Sequence, residues 1–469
     1  MKDAVTYENL HLKLGETVLS VYQLSIVEEP GKHGRMYADA QTQEGEKEYL
    51  LYEECGDVAL YADRGERMES IFQGIVIKMD AAAKGGRCEI HLEAVTNSYM
   101  MDLSVLDFTF QDTAMSSCQL FQSVMQFYPD SQALFFVPDV PIGQIAVQYQ
   151  ETDWAFLNRM LSHYGAGIYP DSTMPGICMR MGLTDDSEET DWDALFYTVM
   201  RDAAPERAEK ERKGQMCYTV EADDILPLGV KTVFHGQELY IGKIYRHLRK
   251  GILVSEYTLY FREGMEIPRY NNPLLCGVSQ YGTVTEVRRN QIRAALENDA
   301  LIFCDDQYFY PYSTVAASPD GSGWYCMPKP GDPVRIFFPS EDEREGYAVS
   351  NIEGESAPGQ DSPISNPDLK DIIMPDGKGV KFIEGGIEVC VGDFLGDITL
   401  TDDGKVQMKV KEEKDIRIYS EGMVYFMTEE GGTIEASAGT QIQIKNDAGG
   451  EICMTDDTVR IEASSIENN

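Results

Sequence analysis

Apolar and polar residues alternate along most of this chain, and two stretches near its middle break the rhythm. In residues 1–95, segments 18–25 and 70–79 are rich in β-branched side chains. Arg87–Val95 (RCEIHLEAV) alternates apolar with polar, and glycines and charges mark the breaks. This spacing predicts a small barrel or sandwich. The period then turns helical: Met115, Leu120, Phe121, Val124 and Met125 stand at near-helical intervals before Tyr128-Pro129. In ETDWAFLNRMLSHYG, Thr152 or Asp153 is placed to cap a second helix. Trp154, Leu157, Met160 and Leu161 share one face, and Gly165 ends it in the left-handed conformation. Residues 183–213 are rich in charge and read as a solvated loop or helix.

Strands resume between Met216 and Phe261. From 273 to 352, segments 282–287 and 290–296 read as a hairpin around Arg288-Arg289, because Ile292, Ala294 and Leu296 alternate. Further strands are expected at 323–327, 334–338 and 346–352, and about five short strands in so short a span suggest a small Greek-key barrel. Residues 353–368 are Pro-, Ser- and Gly-rich and read as a linker.

Beyond it, apolar residues sit two apart in brief runs: Val406/Met408/Val410, Ile416/Ile418, Val424/Phe426, Ile442/Ile444 and Val459/Ile461. Each strand offers two or three inward side chains, with no helix or long run to cover them. One chain of this kind has too little apolar area to offset ordering entropy of about 1.5 kcal/mol per residue. Three copies about one axis would pool the narrow stripes into a closed core and remove the open sheet edges. The near-repeats ITLTDDGKVQM and EICMTDDTVRIEA fit a quasi-one-dimensional stack. A single-chain β-solenoid or sandwich is the alternative.

Composition then narrows the function. With 79 acidic against 40 basic side chains the net charge is −39, which repels a phosphate backbone, so nucleic acid is not expected as the main partner. No run of about 18 apolar residues is present and no apolar core follows the first lysine, so neither a membrane span nor a secretory signal is expected. Ten scattered cysteines form no CxxC pair and read as reduced, mostly buried thiols. GxSxG, HExxH, GxxxxGK[ST] and GxGxxG are all missing, and the DDG and DDT turns lack the ligand pattern of a calcium loop. No catalytic residue, cofactor or metal site is therefore assigned. Two basic clusters, KIYRHLRK (243–250) and residues 288–293, read as salt-bridging partners for acidic neighbours across subunits; nucleic-acid binding through Arg288 and Arg289 is the alternative.

The ordered set of motifs resembles the VgrG-type spikes of type VI secretion and related contractile systems, the fused hub and needle of a contractile phage tail. VQYQETDWAFLNRMLSHYGAGIY (147–169) matches the family's aromatic-acidic helix start and gives Trp154, Tyr164 and Gly165 a structural role. ELYIGKIYRHLRKGILVSEYTLYF (238–261) matches the strand pair closing its second barrel, with His247. SPDGSGWYCMPKPGDPVRIFFP (318–339) matches its small oligonucleotide-binding-type (OB) barrel, through Trp324, Pro330, Gly331 and Arg335.

The resemblance implies a mainly β fold with α+β insertions. It comprises a hub of two β-barrels (1–270, their boundary near 96–215), an OB-type barrel (271–352), the linker, and a trimeric β-helix or β-prism needle (369–469). It implies a non-enzymatic homotrimer that tips an inner tube and pierces an envelope. Its partners would be the tube ring, baseplate wedge proteins, and a PAAR-like tip-capping protein or effector cargo. It would be assembled in a bacterial cytoplasm within a phage-tail-like particle and leave on firing. No His-x-His pair occurs near the end of the tail, so an iron-binding tip is not supported. The rival reading is a trimeric tail-spike enzyme degrading surface polysaccharide or peptidoglycan.

Overall fold

The computed structural model describes residues 4–43, 56–65, 67–84, 86–187, 192, 196–201, 216–300, 306–315, 326–350, 370–374, 376–392, 395–411, 414–428 and 432–466. The chain divides into two compact units, Met1–Ile352 and Glu353–Asn469. It is mainly β.

Strands β1 (Leu10–Leu14), β2 (Thr17–Glu28), β3 (Arg35–Gln43), β4 (Asp57–Asp63), β5 (Met68–Lys84) and β6 (Arg87–Val95) pair in the order β1-β4-β5-β6-β3-β2. β1 returns to β2 from His11–Ser20 to Leu14–Thr17, which closes an antiparallel barrel. The period-two pattern explains its inside: on β6, Cys88, Ile90, Leu92 and Ala94 face a core with Leu12, Ile26, Met36 and Phe72. At Gly74 a Cβ would strike the Val95 carbonyl, so only glycine lets β5 approach β6 this closely.

An α+β insertion follows, with β7 (Val105–Phe110), α1 (Ser117–Met125), β8 (Gln132–Phe135), β9 (Ala146–Thr152), α2 (Asp153–Ser162), β10 (Ile168–Pro170) and β11 (Cys178–Met181). Ser116 caps α1 in a reciprocal box with Gln119. Thr152 Oγ1 caps α2 by accepting from the Ala155 N–H at 3.1 Å, and Gly165 takes φ +67° just beyond it. Both expected helices are present.

The second β unit is an extension of the first sheet. β12 (Tyr197–Arg201), β13 (Met216–Ala222), β14 (Lys231–Phe234), β15 (Gln237–Arg249) and β16 (Ile252–Tyr260) run β2-β15-β16-β13-β12, with β14 beside β15. The junction is Ser25–Glu28 of β2 against Ile244–His247 of β15. The sheet curls around Trp192, Val220, Leu228 and Tyr257, bringing the Tyr197 ring within 5.1 Å of Phe234. The loop or helix expected over 183–213 is thus corrected where it is described. β12 pairs with β13, and Trp192 is buried, its indole N–H donating to Thr232 Oγ1 at 2.6 Å. Aromatic packing here outweighs the surrounding charge.

The small barrel holds β17 (Ser279–Arg288), β18 (Gln291–Leu296), β19 (Tyr310–Pro311), β20 (Pro333–Phe337) and β21 (Tyr347–Ser350), in the order β19-β18-β17-β20-β21. Arg289 turns the β17–β18 hairpin at φ +54°. Of the strand expected at 323–327, residues 323–325 lie outside the described residues, and 326 and 327 are not in a strand. The barrel does not stand alone. Ile145 and Val147 of the insertion share its core with Leu275, Val284, Ile292 and Phe338. Backbone bonds continue the join: Thr109 N–H to Asn298 O and Ala300 N–H to Thr109 O, each 2.9 Å.

The linker at 353–368 lies outside the described residues. In the second unit, β22 (Lys370–Ile373), β23 (Gly379–Ile383), β24 (Gly386–Val391), β25 (Gly396–Thr401) and β26 (Val406–Val410) form one antiparallel meander. A second meander holds β27 (Gln441–Lys445), β28 (Glu451–Thr455) and β29 (Val459–Glu462). The runs at Ile416/Ile418 and Val424/Phe426, expected as strands, are in none. A strand exists through its neighbour's hydrogen bonds, and among the described residues no strand pairs with these runs.

Candidate assembly surfaces

Antiparallel partners project to the same side of a sheet, so register converts alternation into faces. In the five-stranded meander, Ile372–Val380–Val389–Ile398–Met408 line up as one continuous apolar row. Beside it runs Phe382–Ile387–Leu400–Val406. The opposite face carries Asp371–Lys381–Glu388–Thr399–Gln407. The three-stranded meander repeats the design, with Ile444–Ile452–Ile461 and Ile442–Met454–Val459 on one face and Gln443–Cys453–Arg460 on the other.

These apolar faces are uncovered in the single chain. Ile398 is 39% exposed, Met408 54%, Val406 60%, Ile444 62% and Val459 67%. Val410, Ile416, Ile418, Val424, Phe426 and Ile461 are exposed too, and Ile442 is half-buried. Soluble surfaces seldom show contiguous apolar patches of this kind, and such patches mark interaction sites. The sequence reading began the apolar stripe at Val406 and missed Val380, Phe382, Ile387, Val389, Ile398 and Leu400. The strict alternation in GIEVCV and GDITLT was the signal for them.

In the first unit, the motif residues serve packing. Trp154 is buried with its ring 4.2 Å from His33, and Tyr164 meets Phe121 edge-on at 6.4 Å. His247 stacks on Tyr245 at 4.7 Å, its Nε2 3.9 Å from Glu256 Oε1. The Pro330-Gly331 turn places Gly331 at φ +97°, its N–H donating to Val284 O at 2.8 Å. Arg335 on β20 donates to the Ser350 carbonyl of β21 at 3.3 Å. Trp324 lies outside the described residues. Of the eight cysteines described, four are buried, and Cys276 and Cys326 are exposed, so the expectation of mostly buried thiols holds only in part. Among the described residues no group of three or more His, Cys, Asp or Glu could hold a metal ion, and no helix is long and apolar enough to cross a membrane.

Two buried arginines tie distant elements together. Arg246 of β15 pairs with Glu28 of β2 at the β2–β15 junction and donates to Leu226 O at 2.9 Å. Arg159 of α2 donates to Glu343 Oε1 of the small barrel at 2.6 Å, to both oxygens of Glu151 and to Val147 O at 2.8 Å. Burial pushes the Glu343 carboxyl above the usual range, and Arg159 holds part of that back. Arg159 lies on the side of α2 away from Trp154, Leu157 and Leu161, so helical periodicity carried no signal of its burial.

Members of both basic clusters reach acids within the chain. Lys243 reaches Glu29 at 2.7 Å, Arg249 reaches Glu221 at 2.5 Å, and Arg293 reaches Glu286 at 2.9 Å and stacks on Phe309. Antiparallel register sets Glu29 beside Lys243 and Glu286 opposite Arg293.

Acid should loosen the joint between insertion and barrel. Burial, reinforced by Arg269 and Arg159, holds His163 down at about 4, and burial also lowers His33. An unfolded histidine titrates near about 6.5, so the folded state binds these protons more weakly. Stability is therefore fully present above pH of about 6.5 and lost as pH falls toward about 4. Melting temperature against pH should decline across that window, with a shallower slope in His163→Gln. Equal slopes would show that His163 does not contribute.

No protein-family model matches the chain, and no curated protein matches it in sequence. Solved structures do. The half-lidded Francisella PdpA–VgrG complex aligns with a TM-score of 0.54 at 8% identity, over 87% of this chain and 88% of that chain. Its lidded form gives 0.52 at 8%, over 86% and 80%. An Escherichia coli protein, c3393, gives 0.51 at 13%, over 72% and 98%. It is described as a component of the type VI secretion system with structural similarity to the T4 bacteriophage tail proteins gp27 and gp5. The chain thus shares its fold with these structures.

Proposed function

We propose that this chain is the structural spike and hub of a contractile injection machine. The observation that carries the reading is the pair of two-faced tail sheets, whose apolar rows have no cover in one chain. The hub-and-spike fold supports it. Three copies set face to face would bury those rows about a common axis. A fully buried Val, Leu or Ile contributes about 1.5–3 kcal/mol, so side chains already half-covered would each add roughly 1 kcal/mol on assembly.

Function is then mechanical. Cross-strand hydrogen bonds resist bending, and a closed apolar axis keeps the tip from fraying when contraction drives it through an envelope. The hub would seat on the first ring of the inner tube among baseplate wedge proteins. The needle would carry a tip-capping protein or effector cargo. The particle would assemble in a bacterial cytoplasm and leave on firing. No step of this reading is catalytic.

Native mass tests it. The purified chain should travel as a particle of three times 52.6 kDa by light scattering. A monomer with a folded tail would refute the trimeric needle.

A further inference from the structure

His33 and Asp102 border a cavity of about 450 Å³ that Lys32, Arg35 and Trp154 also line. His33 lies in the turn between β2 and β3, and Asp102 ends the short helical segment Asn97–Asp102 that leads into the insertion. The His33 side chain is 11% exposed, and its Nε2 is buried with no hydrogen-bond partner. That nitrogen faces Asp102 Oδ2 at 3.5 Å, longer than a well-made N–H···O bond. A buried polar atom left in this way is costly and calls for a partner.

The other atom of each group is already engaged. His33 Nδ1 lies 2.9 Å from Ser98 Oγ, and Asp102 Oδ1 accepts from Thr152 Oγ1 at 2.5 Å. Trp154 supports the imidazole from the side, ring to ring at 4.2 Å. With its proton on Nδ1, donated to Ser98, the ring presents a lone pair on Nε2 beside a carboxylate oxygen. Metal-binding histidines and carboxylates are oriented in this manner, by hydrogen bonds on the atom that does not bind. The spacing fits too, since two donors about 2.0–2.2 Å from a tetrahedral ion stand roughly 3.4 Å apart. Lys32 and Arg35 are paired elsewhere, with Glu29 at 2.6 Å and Glu93 at 2.8 Å. Among the described residues no lysine or arginine pairs with Asp102.

We propose that His33 Nε2 and Asp102 Oδ2 bind a divalent transition-metal ion, with water from the cavity in its remaining positions. One imidazole and one carboxylate suit Zn²⁺. Two protein donors make a weaker site than the three or four of most zinc centres, so occupancy follows the free metal concentration. The ion would clip the β2–β3 turn of the first barrel to the insertion, next to the Thr152 cap of α2. This inference is independent of the number of chains in the particle.

Calorimetric titration of the chelator-treated full chain with zinc chloride tests it, with circular dichroism to confirm that each variant is folded. The wild type should take up one ion per chain. His33→Gln and Asp102→Asn should each weaken binding at least tenfold, and Ser98→Ala about tenfold, through loss of ring orientation. His91→Gln should bind as the wild type does, because His91 Nδ1 is already bonded to Asp39 Oδ1 at 2.7 Å. Co²⁺ in place of Zn²⁺ should give tetrahedral visible bands without thiolate charge transfer, which separates this site from the exposed Cys276 and Cys326. Should His33→Gln fail to fold, Asp102→Asn and Ser98→Ala decide the matter. No uptake by the wild type, undiminished uptake in the His33 and Asp102 variants, or a thiolate spectrum would overturn the proposal.

Discussion

Ile398→Asp should abolish the three-chain particle and leave a single chain of 52.6 kDa in light scattering. Ile398 stands in the apolar row between Val389 and Met408, on β25. If three copies share that row, the substitution buries three carboxylates beside one another. Each costs several kcal/mol, and like charges at close range add to it. Thr399→Asp is the matched control, because the next residue projects to the opposite face beside Glu388 and Gln407. Its particle should keep three chains. An unchanged mass in Ile398→Asp would mean that this face is not the shared one.

Arg159→Met should cost the Met1–Ile352 unit about 3–5 kcal/mol, the usual result of leaving a buried charge unpaired. Glu343 is 3% exposed, and its Oε1 would keep only the Val147 N–H, at 3.2 Å. Calorimetry should show a fall of roughly 10 °C, at about 2–4 °C per kcal/mol for a unit of this size. Adding Glu343→Leu should recover most of it, since an apolar pair in that position needs no counter-charge. A single variant melting with the wild type would show that Arg159 does not hold the barrel to the insertion.

Both variants probe features that the sequence showed unequally. The β character, the two helices, the cap at Thr152 and the 288–289 hairpin were all legible, since each is set within a few residues. The tail's alternation was legible from Val406 onward. Its earlier half was passed over because glycines and charges interrupt it, although the ladder Val380–Val389–Ile398 is continuous. Trp192 and β12 were hidden in a charged stretch.

By itself, the sequence determined the local periods, the turns, the caps and the want of apolar cover in the tail, because these depend on neighbours a few residues apart. Tertiary structure decided which distant elements share a core. It made one continuous sheet of two expected barrels, through Glu28 and Arg246. It joined the small barrel to the insertion, through Ile145, Val147 and the Arg159–Glu343 pair. Contacts separated by about 200 residues leave no periodic trace along the chain, and only the closed fold brings such charges within hydrogen-bonding distance.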